Sequence, residues 1–324
     1  GLDYRAGVII GAVIIIGYTF VGGYKAVSYT DVVQGVLMLA GLIAVPLVAI
    51  NAAGGWGGMT ATLREYDPGF VDMFSVLDGS TAGFVAAVSF AAIGLPFLGV
   101  PQMLIRYMSA RDDTELKKAR IVSITVLFIF LFGAVTAGIA GRALFPGLED
   151  SEQVFPTLAS ELFPPLLTGV LFVIVLSAIM STVDSLLLLA SSSIVRDTMQ
   201  KILGNPASDA TLAGYGKIVT VIIGVIAVFV AVYMAENKLI FWFVLFSWSG
   251  LGAAFGPVVL ALLYDRRTTG AGVVAGMLGG FLTSVEWVQF FKAGAYGLYE
   301  AIQGFTVAAV ATVVVSRLTR EPRR

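Results

Sequence analysis

The 324-residue sequence contains no cysteine and no histidine. The first absence excludes disulfides, thiolate metal sites and thiol nucleophiles. The second excludes imidazole triads, Cys/His zinc sites and His proton relays. Charge is scarce as well: Asp, Glu, Lys and Arg make up 13% of the chain, against roughly 25% in soluble domains. Lys and Arg number 20 and Asp and Glu 21, a net charge of −1, so bulk electrostatics call for neither nucleic acid nor an acidic partner. What is abundant is hydrocarbon, with 58% hydrophobic residues and a mean hydropathy of +0.92. A water-soluble fold of this length could not hide that much apolar side chain. The solvent is lipid.

Apolar stretches long enough to cross ~30 Å of hydrocarbon recur at 5–27, 31–53, 80–107, 119–143, 165–195, 213–235, 239–263, 270–291 and 297–317. The fold class is therefore an all-α, polytopic membrane protein with about nine transmembrane helices. No strand-length alternation suggests a membrane barrel. Two sizeable loops are expected, at 54–79 and 144–164. In the second, Phe155, Leu158 and Leu162 repeat at helical spacing, which predicts a helix lying along the membrane surface. Gly272, Gly276 and Gly280 predict close helix packing. Glu286 near a span end reads as a snorkelling side chain, and Trp242 and Trp248 as belt or pocket residues.

Basic residues orient the chain. Fifteen of the 20 Lys and Arg fall on one side if RYMSARDDTELKKAR and the C-terminal SRLTREPRR share it. That side is the cytoplasm, which places Gly1 outside. A chain that begins outside on Gly, with no cleavable signal, is expected to be the C-terminal part of a longer protein.

The third span contains AAIGLPFLGVPQM, with Gly94, Pro96, Gly99 and Pro101 inside the hydrophobic stretch. Each Pro removes a backbone donor and clashes with the preceding turn, and Gly lowers resistance to unwinding. In lipid such a break is tolerated where it lines a cavity or meets protein, and interrupted spans mark transporter binding sites. A plain packing kink is the alternative. GLGAAFGPVV is not an equal partner break.

The fifth span reads LFVIVLSAIMSTVDSLLLLASSSIVRD. Ser177, Ser181, Asp184 and Ser185 share a face, bordered by Thr182. The Ser181 and Thr182 hydroxyls with the Ala178 carbonyl could replace part of a sodium ion's water shell, or could simply bond within the helix and to its neighbours. Asp184 stands twelve residues before Arg196, about 18 Å along the helix. A carboxylate that deep is a site hypothesis, for a cation, a substrate amine or a proton; a structural bond to a neighbouring helix is the alternative. Asp31 in SYTDVVQ reads either as the N-cap of the second span or as a post on an ion route.

Together TFVGGYKAVSYTDVVQ, PQMLIRYMSA, SAIMSTVDSLLLLASSS, WSGLGAAFGPVVL and GLYEAIQGF resemble the solute:sodium symporter family, and its proline-carrying branch in particular. The resemblance implies a partial LeuT-type inverted-repeat core. Residues 1–53 would be the last two helices of the first repeat and 54–79 an extracellular loop. Residues 80–263 would be the second five-helix repeat, broken near 94–101, and 264–324 two accessory helices with a basic cytoplasmic tail. The N-terminal helices that complete the site would lie upstream. It also implies Na⁺ at Ala178, Ser181 and Thr182, with Asp31 and Asp184 as candidates for the ion's site or exit route. Ile93, Gly94, Phe97 and Pro101 would contact solute. Ile93 and Phe97 stand where proline-type members carry Trp and Tyr, and Asp184 where they carry a small polar residue.

The expected function is sodium-coupled uptake of a small polar solute, an amino acid such as proline or another carboxylate, across a bacterial cytoplasmic membrane. The partners are that solute, Na⁺ and the lipid bilayer, with no nucleic acid. An enzyme is not expected: the surroundings of Asp184 and Asp31 lack the GxGD context of an intramembrane aspartyl protease. The other reading is a symporter-like sensor module, which a signalling domain after Arg324 would favour.

Overall fold

The computed structural model describes residues 4–319 except 73 and 235–239. Gly1, Lys238, the side chain of Trp242 and the basic run 320–324 lie outside that description. The described residues form helices and no strands. Eight helical runs among them are long and apolar enough to cross a membrane. The nine predicted spans map onto these eight because the first two are joined in α1 (Tyr4–Ala52). A straight helix of 48 residues would reach ~72 Å, more than twice the hydrocarbon thickness. The only non-helical residue inside α1 is Gly23, at φ 60° and ψ −168°, a backbone state open to a residue without Cβ. Both limbs flanking Gly23 meet α7 (Pro165–Ser192): Tyr18 bonds Asp184, and Gly41 packs against Ile174.

This geometry corrects one expectation. Asp31 is not an N-cap, because the helix runs through it unbroken and the change of direction comes eight residues earlier at Gly23. Positive φ, not the polar SYTD stretch, decides where the chain turns.

The chain divides into two compact units, Gly1–Val71 with Asp112–Asn237, and Asp72–Arg111 with Lys238–Arg324. In the first, α1 packs with α2 (Gly55–Tyr66), α5 (Asp113–Leu144), α6 (Val154–Leu162), α7 and α8 (Asp209–Met234). Its core joins Val45, Ala49, Met59, Leu63, Ala137, Ala140, Leu158 and Leu171. Gly133 on α5 is required, since a Cβ there would strike the Leu42 carbonyl. Sequence signals mark the ends. Asp112 caps α5 by accepting from the Thr114 and Glu115 amides at 2.8 and 2.9 Å, and Pro165 opens α7 where an amide would go unused.

Two loops carry more structure than expected. Residues 54–79 contain α2, whose Met59 and Leu63, one turn apart, are buried in the core. The glycines of GGWGGM obscure that pairing in the sequence. Helix α6 appears where predicted, but Leu158 and Ala159 are buried among α1, α5 and α7. Its apolar face is covered by protein and not by the membrane surface.

In the second unit, α3 (Thr81–Ala92), a 3₁₀ turn at Leu95–Leu98 and α4 (Pro101–Met108) replace one continuous span. Helices α9 (Ile240–Tyr264), α10 (Gly270–Glu286) and α11 (Glu300–Leu318) pack together around the predicted glycine stripe. A Cβ at Gly272 would strike Ser316, at Gly276 Thr312, and at Gly280 the Ala253 carbonyl. Glu286 is exposed at the end of α10. The turn between α9 and α10 is fixed by Asp265, whose carboxyl is held below the ordinary carboxylate range by the Arg267 amide and then by Arg317.

With Leu158 of α6 fully buried, Leu158→Ala in the full-length protein should cost about 2–5 kcal/mol. Leu166→Ala on the 81% exposed α7 position should cost under ~0.5 kcal/mol. Unfolding in detergent checks this, and equal costs would return α6 to the surface.

A candidate cation cluster and a broken helix

Ala178, Ser181, Thr182 and Asp184 lie within two turns of α7. The Ser181 and Thr182 hydroxyls both donate to the Ala178 carbonyl, each at 3.1 Å. These are the ordinary bonds of hydroxyls to a carbonyl three or four residues back. They also gather three neutral oxygens at one point. A cation about 2.4 Å from each would see the carbonyl and either hydroxyl about 80° apart, an ordinary coordination angle for a hard ion of that size. Both hydroxyls need only rotate their hydrogens away. The donor set is neutral, which suits a monovalent cation. Among the described residues no three Asp or Glu side chains gather to cage a metal.

Asp184 is 0% exposed, and the Tyr18 phenol of α1 donates to its Oδ2 at 2.6 Å. The same phenol reaches the Met180 carbonyl at 3.5 Å. Tyr18 thus spans the turn of α7 that carries Ser181 and Thr182. The structural role considered for Asp184, a bond to a neighbouring helix, is present. Asp31 lies in the same unit, half-buried on α1. Sequence reasoning missed Tyr18. No motif marks it, since its meaning comes from a partner 166 residues away.

The four solute candidates sit along the break in the second unit, but they do not play one part. Ile93 ends α3 and packs on the cluster of Ala92, Tyr299 and Ala301. Pro101 is the first residue of α4, its missing amide costless there. Gly94 has ordinary helical φ/ψ and room for a side chain. The required glycine is Gly99, where a Cβ would strike the Gly256 backbone of α9; at Gly252 a Cβ would strike Pro96. Phe97 is exposed and meets Trp248 edge-on, with ring centroids 4.8 Å apart at 71°. Of the two tryptophans singled out, Trp248 therefore belongs beside the break.

An oxygen cluster in an apolar helix and a span broken against a glycine-rich neighbour define a class, the polytopic helical membrane proteins of the LeuT type. The profile of the sodium:solute symporter family matches residues 1–280. The chain belongs to that family. It is 37% identical over 334 residues to the sodium/proline symporter of Staphylococcus aureus and 38% identical to that of the USA300 strain of the same species. Each alignment covers 99% of this chain, which spans 64% of those relatives' length. A solved Na⁺-coupled sialic acid symporter, in a substrate-bound outward-open state, is 18% identical with a TM-score of 0.75, covering 100% of this chain and 68% of that one. At that identity the likeness shows the fold.

The Tyr18–Asp184 bond is expected to be energetically real. Tyr18→Phe and Asp184→Asn, singly and together, should give a coupling of about 0.5–2 kcal/mol in a double-mutant cycle of detergent unfolding. Additive effects would show that the contact contributes nothing.

Proposed function

We propose that the protein containing this chain is a sodium-coupled symporter that imports a small polar solute across a bacterial cytoplasmic membrane. The reading rests on one observation above the rest: three neutral oxygens converge at Ala178, Ser181 and Thr182 on a membrane helix, in a chain of the sodium:solute symporter family. Na⁺ is cargo here, not a catalytic cofactor, and the protein is a transporter and not an enzyme. The cluster loses its two internal hydrogen bonds when a cation takes the oxygens, so ion affinity is modest and release is easy. The buried Asp184 adds negative charge one turn from the cluster and is held in place by Tyr18. Asp31, farther along the helix that carries Tyr18, serves the ion's route to the cytoplasm. RYMSARDDTELKKAR and the C-terminal end face that side, and Gly1 the other.

The solute binds at the broken segment around Phe97. Proline is the first candidate, since the curated relatives are sodium/proline symporters; another carboxylate such as sialic acid is the second. The exchange of Trp and Tyr for Ile93 and Phe97 alters the proline-type pocket, so the solute differs in shape or affinity. Coupling is a difference in affinity between two states: an ion that binds one state better shifts the population toward it and with it the solute's affinity.

The experiment is uptake of radiolabelled proline and sialic acid by the whole transporter in liposomes, with and without an inward Na⁺ gradient. Gradient-dependent uptake is expected. Ser181→Ala or Thr182→Ala should raise the Na⁺ concentration for half-maximal uptake about tenfold, as loss of one ion ligand worth about 1.4 kcal/mol would. Uptake indifferent to Na⁺ would end the symporter reading, and unchanged Na⁺ dependence in both variants would remove the site.

A further inference from the structure

Tyr299 and Glu300, at the start of α11, hold α3, which leads into the break, and α9, which packs against it. The Tyr299 amide donates to Ser89 Oγ on α3 at 3.1 Å, and its phenol donates to the Leu245 carbonyl on α9 at 3.3 Å. Glu300 Oε1 lies 3.2 Å from Ser249 Oγ on α9, whose single proton is shared with the nearer Phe246 carbonyl at 2.7 Å, and Oε2 accepts from Lys292 Nζ at 2.8 Å. Ser89 lies one turn before Ile93. Leu245 and Ser249 are one turn apart on α9, and Ser249 follows Trp248, whose ring meets Phe97. The Glu300 side chain is 2% exposed and that of Lys292 27%.

A buried ion pair contributes little net stability compared with apolar packing of the same volume, because desolvation offsets the attraction. What it does supply is geometry: removing one partner strands a charge, so the neighbouring groups stay where both are satisfied. Here the groups held are α3 and the turn of α9 next to the break. Ile93 is packed against the same Tyr299.

We propose that Tyr299 and Glu300 are positioning residues for solute selection, fixing the distance between Phe97 on the broken segment and Trp248 on α9 through Ser89 and Ser249. The proposal rests on the solute reading of the break. Neither residue touches solute in this scheme. They set the width of the aromatic pair that does, so their loss acts on solute affinity and leaves the Na⁺ cluster of α7 unaffected.

The test uses the whole transporter in liposomes with radiolabelled proline. Ser249→Ala removes the hydroxyl shared between Glu300 and the Phe246 carbonyl, Tyr299→Phe removes the bond to Leu245, and both leave the ion pair whole. They should raise KM for proline at least threefold, with half-maximal Na⁺ unchanged within twofold and Vmax per folded transporter little altered. Glu300→Gln removes the charge facing Lys292 and is paired with Glu300→Gln/Lys292→Gln, which removes both charges; the double variant should also show the raised KM. A second readout does not need transport. The 324 residues contain no cysteine, so maleimide labelling at Leu98→Cys, an exposed position in the break, measured against the same protein without that substitution, reports the segment's hold. Ser249→Ala or the double variant should speed labelling at least threefold. Absence of Na⁺-driven uptake in the wild type counts against the symporter reading alone, while the labelling rates still judge the clamp. Unchanged labelling, or a KM that stays fixed while Vmax falls with abundance, overturns the proposal.

Discussion

A backbone amide or carbonyl facing hydrocarbon has no water to bond, and each one left unmet costs several kcal/mol. The rest of this structure follows from that constraint. It makes the spans helical, and it makes every departure from the helix dependent on protein nearby. Gly23 turns α1 with a single residue in a left-handed conformation. The longer break between Ala92 and Pro101 needs more. It is pressed against α9 at Gly99 and Gly252, positions where even a methyl group would collide with backbone or with Pro96. The broken segment exists because α9 offers a face of glycine backbone to cover it.

The same constraint governs polar side chains. Among the described residues, each buried carboxylate is tied to another helix or to a cation: Asp184 to Tyr18, and Glu300 to Ser249 and Lys292. Between α7 and α8 the Ser191 hydroxyl donates to the Gly216 carbonyl at 2.7 Å. Such bonds do little for net stability in lipid, where the alternatives also find partners. They fix which turn of one helix faces which turn of the next. In the first unit that precision falls on the Ala178–Ser181–Thr182 cluster, and in the second on the segment around Phe97.

Family membership and solute choice separate cleanly here. The curated relatives carry the name of proline and the solved neighbour that of sialic acid, yet the fold is shared. A fold supplies places for a site and not the site itself. The neutral oxygens of α7 need only the spacing of a helix, whereas the surroundings of Phe97 depend on which rings and aliphatic chains meet there. On the proposed reading, solute specificity belongs to the second unit's side chains.

Much was legible without coordinates. Span positions follow from apolar length, the break from two prolines and two glycines, and the glycine packing stripe from its four-residue period. The oxygens of the AIMST stretch follow from helical spacing. All of these are local, and local patterns survive in a one-dimensional record. The turn at Gly23 in place of a cap at Asp31, and the burial of α2 and α6, were decided by tertiary structure. So were the pairing of Tyr18 with Asp184, the choice of Gly99 over Gly94, and the grip of Tyr299 and Glu300 on α3 and α9. Each depends on a partner distant in the chain, and a residue's own neighbours carry no record of what folding will set against it.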